Sequence, residues 1–221
     1  MMMENHAPQL PELEDNSIRE NGRSDNHVEE IHYSKEFAVS ESMLNSREWL
    51  GKIQSLSDDP YEQRQFVSEA KEILKDRSGS DGEDISVYNR TRKEWYRYWE
   101  GNRSEQVIYS KKFDDQIKKH VKDELVSFHN HPNSQAPSNG DINSAWYRGY
   151  SEGYVLGHNG AVYRYGPCSH IIPSMICGKH IAVYDGTGYT DIERSVYLMR
   201  WLSKEYKFVY EEVENGKKKR R

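Results

Sequence analysis

Residues 125–141, with the sequence LVSFHNHPNSQAPSNGD, carry the clearest structural and chemical signals in the chain. Residues 125–128 form a short apolar run that predicts a strand, and His129 and His131 follow it directly. Side chains alternate between the two faces of a strand, so both imidazoles project to the same side and can reach one ion. Residues 137–141 then open a predicted helix that runs to residue 150.

A third metal ligand is available beyond the loop that follows the histidines. Asp141 lies ten residues after His131, and the Pro- and Gly-containing segment between them can fold its carboxylate back as a ligand. Three such ligands leave the fourth position of a tetrahedral zinc ion open for a water, whose pKa can fall to about 7. The pattern predicts a catalytic zinc site formed by His129, His131 and Asp141. Alternatively, Asp141 is a first-turn helix acid favoured by the helix dipole.

A hydrolytic site also needs a base for the water and a donor for the oxyanion. Ser138, three residues before Asp141, is the predicted donor, although a serine before a helix is also a common N-cap. Glu83 is the predicted base because it opens the first predicted strand of the sheet, 46 residues before His129. The alternative is that Glu83 is a solvated carboxylate at the start of the strand. Three other acids remain open as the base: Glu94, Glu100 and Glu105.

These residues resemble the JAMM (JAB/MPN+) motif, in which a glutamate on an early strand is followed by HxHP and SxxD. The matching positions are Glu83, residues 129–132, Ser138 and Asp141. The resemblance implies an α/β fold of the JAB/MPN-like, cytidine-deaminase-like type, with a mixed sheet flanked by helices. It also implies a zinc-dependent peptidase or isopeptidase, a class that includes deubiquitinases, with the two histidines and the aspartate on zinc. The glutamate would then be the general base, and the serine would help to stabilise the tetrahedral intermediate.

A narrower resemblance covers roughly residues 45–165. Residues 70–74, 78–80, 83–84, 141–144 and 157–160 are similar to the JAB-like domain of phage head-morphogenesis proteins and some bacterial polymorphic toxins. It adds two alternatives: a phage or mobile-element assembly module, and an effector or toxin with deubiquitinase-like activity. The implied partner is a protein or peptide substrate, such as a ubiquitin-like modifier or a phage structural protein. A metal-free relative of the family also remains open.

The hydrophobic pattern divides the chain into four regions. Residues 1–38 are polar and lack periodicity, which predicts a disordered tail. Apolar residues at helical spacing between residues 42 and 76 predict a helical hairpin, assigned to residues 39–78. Residues 79–210 form the predicted hydrolase domain, and residues 211–221 a basic tail.

Period-two segments and turn signals predict the strands of the hydrolase domain, and apolar residues four apart predict a short amphipathic helix. These are a β-hairpin at 85–99, a short strand at 107–109, a helix at 114–123, a second hairpin at 154–165 and a closing helix at 191–206; residues 167–189 resist assignment. The aromatic residues at 95–99 are predicted to pack the sheet or line a peptide cleft, since no basic groove accompanies them. Four further histidines lack ligand spacing and are predicted to be surface, turn or partly buried residues: His120, His158, His170 and His180.

Composition narrows the expected partners and compartment. A net charge of −5 provides no global basic field, which argues against a nucleic-acid partner. Cys168 and Cys177 are too few for a disulfide framework, which fits a reducing compartment. No stretch approaches the roughly 20 apolar residues of a membrane span. We therefore expect a cytoplasmic protein, either phage-encoded or delivered into a host cell under the two alternatives.

Overall fold

The computed structural model describes residues 31–99, 109–182 and 188–214. One six-stranded sheet runs through it in the order β2-β1-β3-β4-β5-β6. The strands are β1 (Ile85–Asn89), β2 (Glu94–Tyr98), β3 (Leu125–His131), β4 (Tyr150–Gly157), β5 (Val162–Tyr165) and β6 (Tyr210–Glu212). β3 and β4 are parallel, whereas the other neighbouring pairs are antiparallel. The predicted α/β class with a mixed sheet is confirmed, and its JAB/MPN-like identity stays a prediction.

Helices cover both faces of this sheet. They are α1 (Glu41–Leu44), α2 (Arg47–Gln54), α3 (Pro60–Asp76), α4 (Lys111–Ile117), α5 (Asn139–Arg148), α6 (Ser174–Ala182) and α7 (Asp191–Tyr206). Buried residues of α1, α2 and α3 form one core with the sheet face that carries Val126 and Phe128. Residues of α4 to α7 form a second core with the opposite face, which carries Leu125. The partly buried aromatic side chains of residues 95–99 pack against these cores, as predicted.

The helical hairpin packs directly against the sheet. Its first half is split into α1 and α2, because Ser46 accepts a hydrogen bond from the Trp49 N–H and so caps a new helix. Asp59 caps α3, and Pro60 occupies the first helical position, where its missing N–H costs nothing. Phe66 of α3 is fully buried against the sheet. The predicted hairpin at residues 42–76 is thus confirmed, with one additional break.

Strand β3 is buried on both faces along its whole length. Val126 and Phe128 belong to the core beneath α3, whereas Leu125 belongs to the core on the opposite face. His129 and His131 therefore share the face of Leu125, and Asn130 points to the α3 side. The sequence predicts an apolar strand that ends before the histidines, but the ladder with β4 continues through His131.

Several predicted boundaries shift in the structure. The helix predicted at 114–123 begins earlier, since Ser110 caps α4, and it ends at Ile117. The helix predicted to reach residue 150 ends at Arg148, where Gly149 adopts a left-handed conformation with φ 68°. β6 and α6 are additional to the prediction. The strand predicted at 107–109 and the basic residues 217–221 fall wholly or mostly outside the described residues, as does Glu105.

Residues 31–38 lie against the domain, although the sequence places them in a disordered tail. A short 3-10 helix occupies Lys35–Phe37, and Tyr33 forms a β-bridge with Ser80. The predicted tail therefore extends too far at its carboxyl end, while residues 1–30 lie outside the described residues. Cys168 and Cys177 are buried free thiols. Within the described segments, no helix has the length and apolar character needed to cross a bilayer.

Candidate metal centre

The three predicted ligands converge at one point of the structure. The Nε2 atoms of His129 and His131 are 3.2 Å apart, and Nε2 of His129 lies 3.3 Å from Oδ1 of Asp141. Nε2 of His131 is 3.6 Å from Oδ2 of the same carboxylate. Ligands held at about 2.0–2.1 Å from a tetrahedral zinc are roughly 3.3 Å from one another. The two distances from His129 match this value, whereas the 3.6 Å distance from His131 is to the other carboxylate oxygen. One ligand atom from each residue lies within 4.8 Å of the others, so the group could hold one metal ion.

The orientation of His131 favours metal binding through Nε2. Its Nδ1 lies 3.0 Å from the carbonyl oxygen of Gln135, which can only accept a hydrogen bond. The proton of the neutral ring is therefore on Nδ1, and the Nε2 lone pair points at His129 and Asp141. The lone pair of His131 and the carboxylate of Asp141 thus face one another, and a cation between them would relieve the repulsion.

His129 is held by packing more than by hydrogen bonds. Its Nδ1 is buried and has no hydrogen-bond partner among the described residues. The ring of Tyr165 meets the imidazole edge-on at a centroid distance of 6.3 Å. Tyr165 reaches this position by crossing Gly153 of β4, where a Cβ atom would lie only 2.1 Å from Cζ of the tyrosine. The glycine thus makes room for the ring that packs against the predicted ligand His129.

Asp141 has two structural duties, one for each carboxylate oxygen. It is the third residue of α5, and its Oδ2 accepts hydrogen bonds from the backbone N–H and the hydroxyl of Ser138. The Ser138 oxygen in turn accepts from the Asp141 N–H, which completes a capping box. Oδ1 remains directed at His129. The N-cap alternative for Ser138 is therefore realised, and the same contacts orient a predicted ligand.

The protonation states at the centre suit a divalent cation. Burial lowers the pKa of His131 to about 4, with a further contribution from the nearby His129, so the ring is neutral at pH 7. Burial alone would raise the pKa of Asp141, but His129, His131 and the hydrogen bond from Ser138 outweigh it and lower the pKa below its usual value. A neutral imidazole and an ionised carboxylate are the forms that bind zinc.

The structure brings Glu83 to the same centre. Ile85 pairs with His129 across the β1–β3 ladder, so the residues just before β1 run alongside His131. Oε1 of Glu83 lies 3.9 Å from Nε2 of His131, and both side chains are about 10% exposed. The sequence predicts that Glu83 opens the first strand, but in the structure it precedes β1 by two residues. Its role as a base stays a prediction, whereas its position fits that role.

The other acids considered as the base are judged by their distance from the centre. Glu94 pairs with Asn89, which pairs with Leu125 at the opposite end of β3. Six residues of strand, about 20 Å, separate that end from His131, so Glu94 cannot serve the centre. Glu100 and Glu105 lie outside the described residues.

Two residues near the centre carry no sequence prediction of a role: Asn130 and Tyr165. Each acts through partners remote in the chain, such as Gly82 for the amide and Ser127 for the phenol. Gly153, an isolated glycine in a strand, was the available signal for the close approach of Tyr165. Among the other histidines, His158 is buried and bonded to Asn130, His120 contacts Asn89, and His170 is exposed. The His180 side chain lies outside the described residues.

Comparison with known proteins finds no relative: no protein-family model matches the chain, and neither the curated proteins nor the solved structures give a significant match. Function is therefore inferred from the residues of the site itself.

Proposed function

We propose that this protein is a zinc-dependent hydrolase of peptide or isopeptide bonds, of the JAMM type. One observation carries the proposal: Nε2 of His129 lies 3.2 Å from Nε2 of His131 and 3.3 Å from Oδ1 of Asp141, and the carboxylate of Glu83 lies 3.9 Å from His131. Three protein ligands leave one coordination position open, which distinguishes catalytic from structural zinc. An acid beside that position provides the base that hydrolysis needs.

The residues divide the work as follows. His129, His131 and Asp141 would hold the zinc, which supplies a Lewis acid and an activated water when bound. Glu83 would accept the proton of the attacking water and return it to the leaving amine, because its nearly buried carboxylate lies 3.9 Å from Nε2 of His131. The low exposure of this carboxylate strengthens its electrostatic interactions.

Ser138 has a supporting role in this proposal. Its hydroxyl donates to Oδ2 of Asp141 at 2.8 Å, so it fixes the direction of the ligand carboxylate. Donation to a substrate oxyanion, the role implied by the resemblance, requires the hydroxyl to exchange this partner during the reaction. The backbone N–H of Ser138, at 2.7 Å from the same oxygen, continues to hold Asp141 while that exchange takes place.

Zinc content is the first test. We expect about one zinc per chain in the wild type by elemental mass spectrometry, and none in His131→Ala, because the loss of one of three ligands removes most of the binding free energy. His170→Ala is the matched control, since this histidine is exposed, and it should keep the metal. If the wild type binds no zinc even when zinc is supplied during refolding, the proposal is wrong.

Glu83→Gln then separates metal binding from catalysis. The variant should keep its zinc and lose hydrolysis by about 10²–10⁴-fold, measured on a mixture of fluorogenic peptides and lysine isopeptides. Glu94→Gln is the control and should match the wild type. Full activity in Glu83→Gln would refute the assigned base. A zinc-loaded wild type that cleaves none of these probes would instead favour the assembly-module alternative, tested by copurification with phage structural proteins.

A further inference from the structure

We infer that Asn130, supported by His158, is a positioning residue that holds Glu83 at the metal centre. This inference rests on the proposed function, in which Glu83 is the base. Asn130 lies between the two histidine ligands but points to the opposite face of β3, so it is not itself a ligand. The residue is fully buried.

The Asn130 amide forms hydrogen bonds with the backbone on both sides of Glu83. Its Oδ1 accepts a hydrogen bond of 2.8 Å from the Asp84 N–H, and its Nδ2 donates one of 2.9 Å to the carbonyl oxygen of Gly82. The regular β1–β3 ladder stops at Ile85. The side chain therefore replaces the backbone pairing that ends there and anchors the two peptide groups that flank the base.

A third hydrogen-bond partner, His158, holds the amide in a single orientation. The other N–H of Asn130 lies 3.1 Å from Nε2 of His158, and Nδ1 of His158 lies 2.7 Å from the carbonyl oxygen of Phe37. A carbonyl only accepts, so His158 carries its proton on Nδ1 and accepts through Nε2. A flipped amide would place oxygen against the Gly82 oxygen and N–H against N–H. Only one orientation of the Asn130 amide therefore gives its oxygen and both of its N–H groups a hydrogen-bond partner.

This network links the position of Glu83 to three separate segments: the metal strand, the β4–β5 turn that contains His158, and residues 31–38. Buried and fully satisfied hydrogen-bond networks are rigid, and catalytic groups depend on supports that fix their geometry within fractions of an ångström. Residues of this kind typically change metal affinity or activity by about 10- to 100-fold when replaced.

Asn89 offers a matched control for replacing Asn130. It is also a fully buried asparagine; its Oδ1 accepts from the Arg92 N–H, and its Nδ2 contacts a ring nitrogen of His120. It pairs with Leu125, about 13 Å along the strand from His129. Asn130→Ala and Asn89→Ala therefore remove comparable interactions near the centre and away from it.

Crystal structures of the zinc-loaded variants test the inference directly. In Asn130→Ala we expect His129, His131 and Asp141 to remain on zinc while Glu83 moves away from His131 by more than about 1 Å, a displacement large enough to impair catalysis. Asn89→Ala should retain the wild-type separation. Glu83 unmoved in Asn130→Ala would overturn the inference, whether or not any substrate is known. If Asn130→Ala does not fold, the near-isosteric Asn130→Asp is used, since it keeps the acceptor but loses both donors.

A double-mutant comparison distinguishes this inference from the proposed function. On a peptide or isopeptide that the wild type cleaves, Asn130→Ala should lower kcat by about 10- to 100-fold with KM nearly unchanged. In a Glu83→Gln background the same substitution should have almost no further effect, because it acts through Glu83. Equal losses in both backgrounds would indicate a general structural role. Full activity of Glu83→Gln alone would refute the base while leaving the crystallographic result valid.

Discussion

Strand β3 presents two different surfaces to the helices on either side. Toward α3, Phe128 lies 4.9 Å from Phe66 and 4.8 Å from Tyr154 between ring centroids, in a cluster dominated by aromatic rings. Toward α5, two histidine nitrogens face each other at 3.2 Å beside a carboxylate. The comparison shows that one strand can gain stability on one face and hold close polar groups, which are unfavourable without a cation, on the other.

The aromatic face should give the largest effect on stability. Phe128→Ala leaves a cavity in that cluster and should reduce the free energy of unfolding by about 3–5 kcal/mol, measured by urea denaturation of the metal-free protein. Ser127 is next to Phe128 but lies on the face of β3 that carries His129 and His131. Ser127→Ala loses only a 3.4 Å contact with the Tyr165 hydroxyl and should cost about 1 kcal/mol or less. Similar losses in the two variants would contradict the division between the faces.

Acid should lower the free energy of unfolding through His131. Well above pH 6.5 His131 is neutral in both folded and unfolded chains, so it contributes no pH dependence there. Between pH 6.5 and about 4 the unfolded chain binds a proton that the folded protein does not, and stability falls by about 3 kcal/mol at the lower end. Unfolding of the metal-free protein at several pH values checks this. His131→Asn should show a shallower loss, and an unchanged slope would argue against the buried neutral ring.

Gly153 tests the support of His129. An alanine there would bring Cβ to 2.1 Å from Tyr165, so we expect Gly153→Ala to cost about 1–3 kcal/mol and to weaken zinc binding by displacing the ring. Gly178→Ala in α6, where the added Cβ meets nothing within 4 Å, should be neutral or stabilising by up to about 1 kcal/mol. Thermal unfolding with and without zinc separates the two, and a stable Gly153→Ala with wild-type zinc affinity would show that Tyr165 is dispensable.

The smallest expected effect on stability comes from the helix caps. Ser138→Ala and Thr190→Ala each break a capping box, on α5 and α7, and each should cost about 1 kcal/mol. Only Ser138→Ala should also lower zinc affinity, by about 10-fold, because only its partner Asp141 is a proposed ligand. Chelator competition measures this difference. Equal zinc affinities in the two variants would mean that the cap does not orient the ligand.

Elements with strong local signals were predictable from the sequence. α7 has the bounds predicted from its apolar spacing, and the hairpin around residues 158–160 follows from its turn residues. The proposed ligand group was also predictable, since its members come from one strand and the first turn of the next helix. Local spacing alone therefore brings them together.

Features that depend on remote pairing were not predictable. β6 is only three residues long and exists because it pairs with β5. Asn130 bonds to residues 28 and 48 positions away, and nothing in its immediate neighbours indicates those partners. Helix α6 begins only at Ser174 and contains Gly178, so the sequence gives it a weak helical signal. Short-range periodicity contains none of this information, because it arises only when the sheet assembles.

Ser138 makes two hydrogen bonds to Oδ2 of Asp141, and these bonds influence which metal ions the proposed site would prefer. With that oxygen occupied, the group offers two nitrogens and a single oxygen. Calcium takes six to eight oxygen ligands and magnesium prefers an octahedral oxygen shell, so both abundant hard cations are poorly served. Zinc and its transition-metal neighbours accept imidazole readily. In the proposed site, the cap of α5 therefore favours zinc and its transition-metal neighbours over calcium and magnesium.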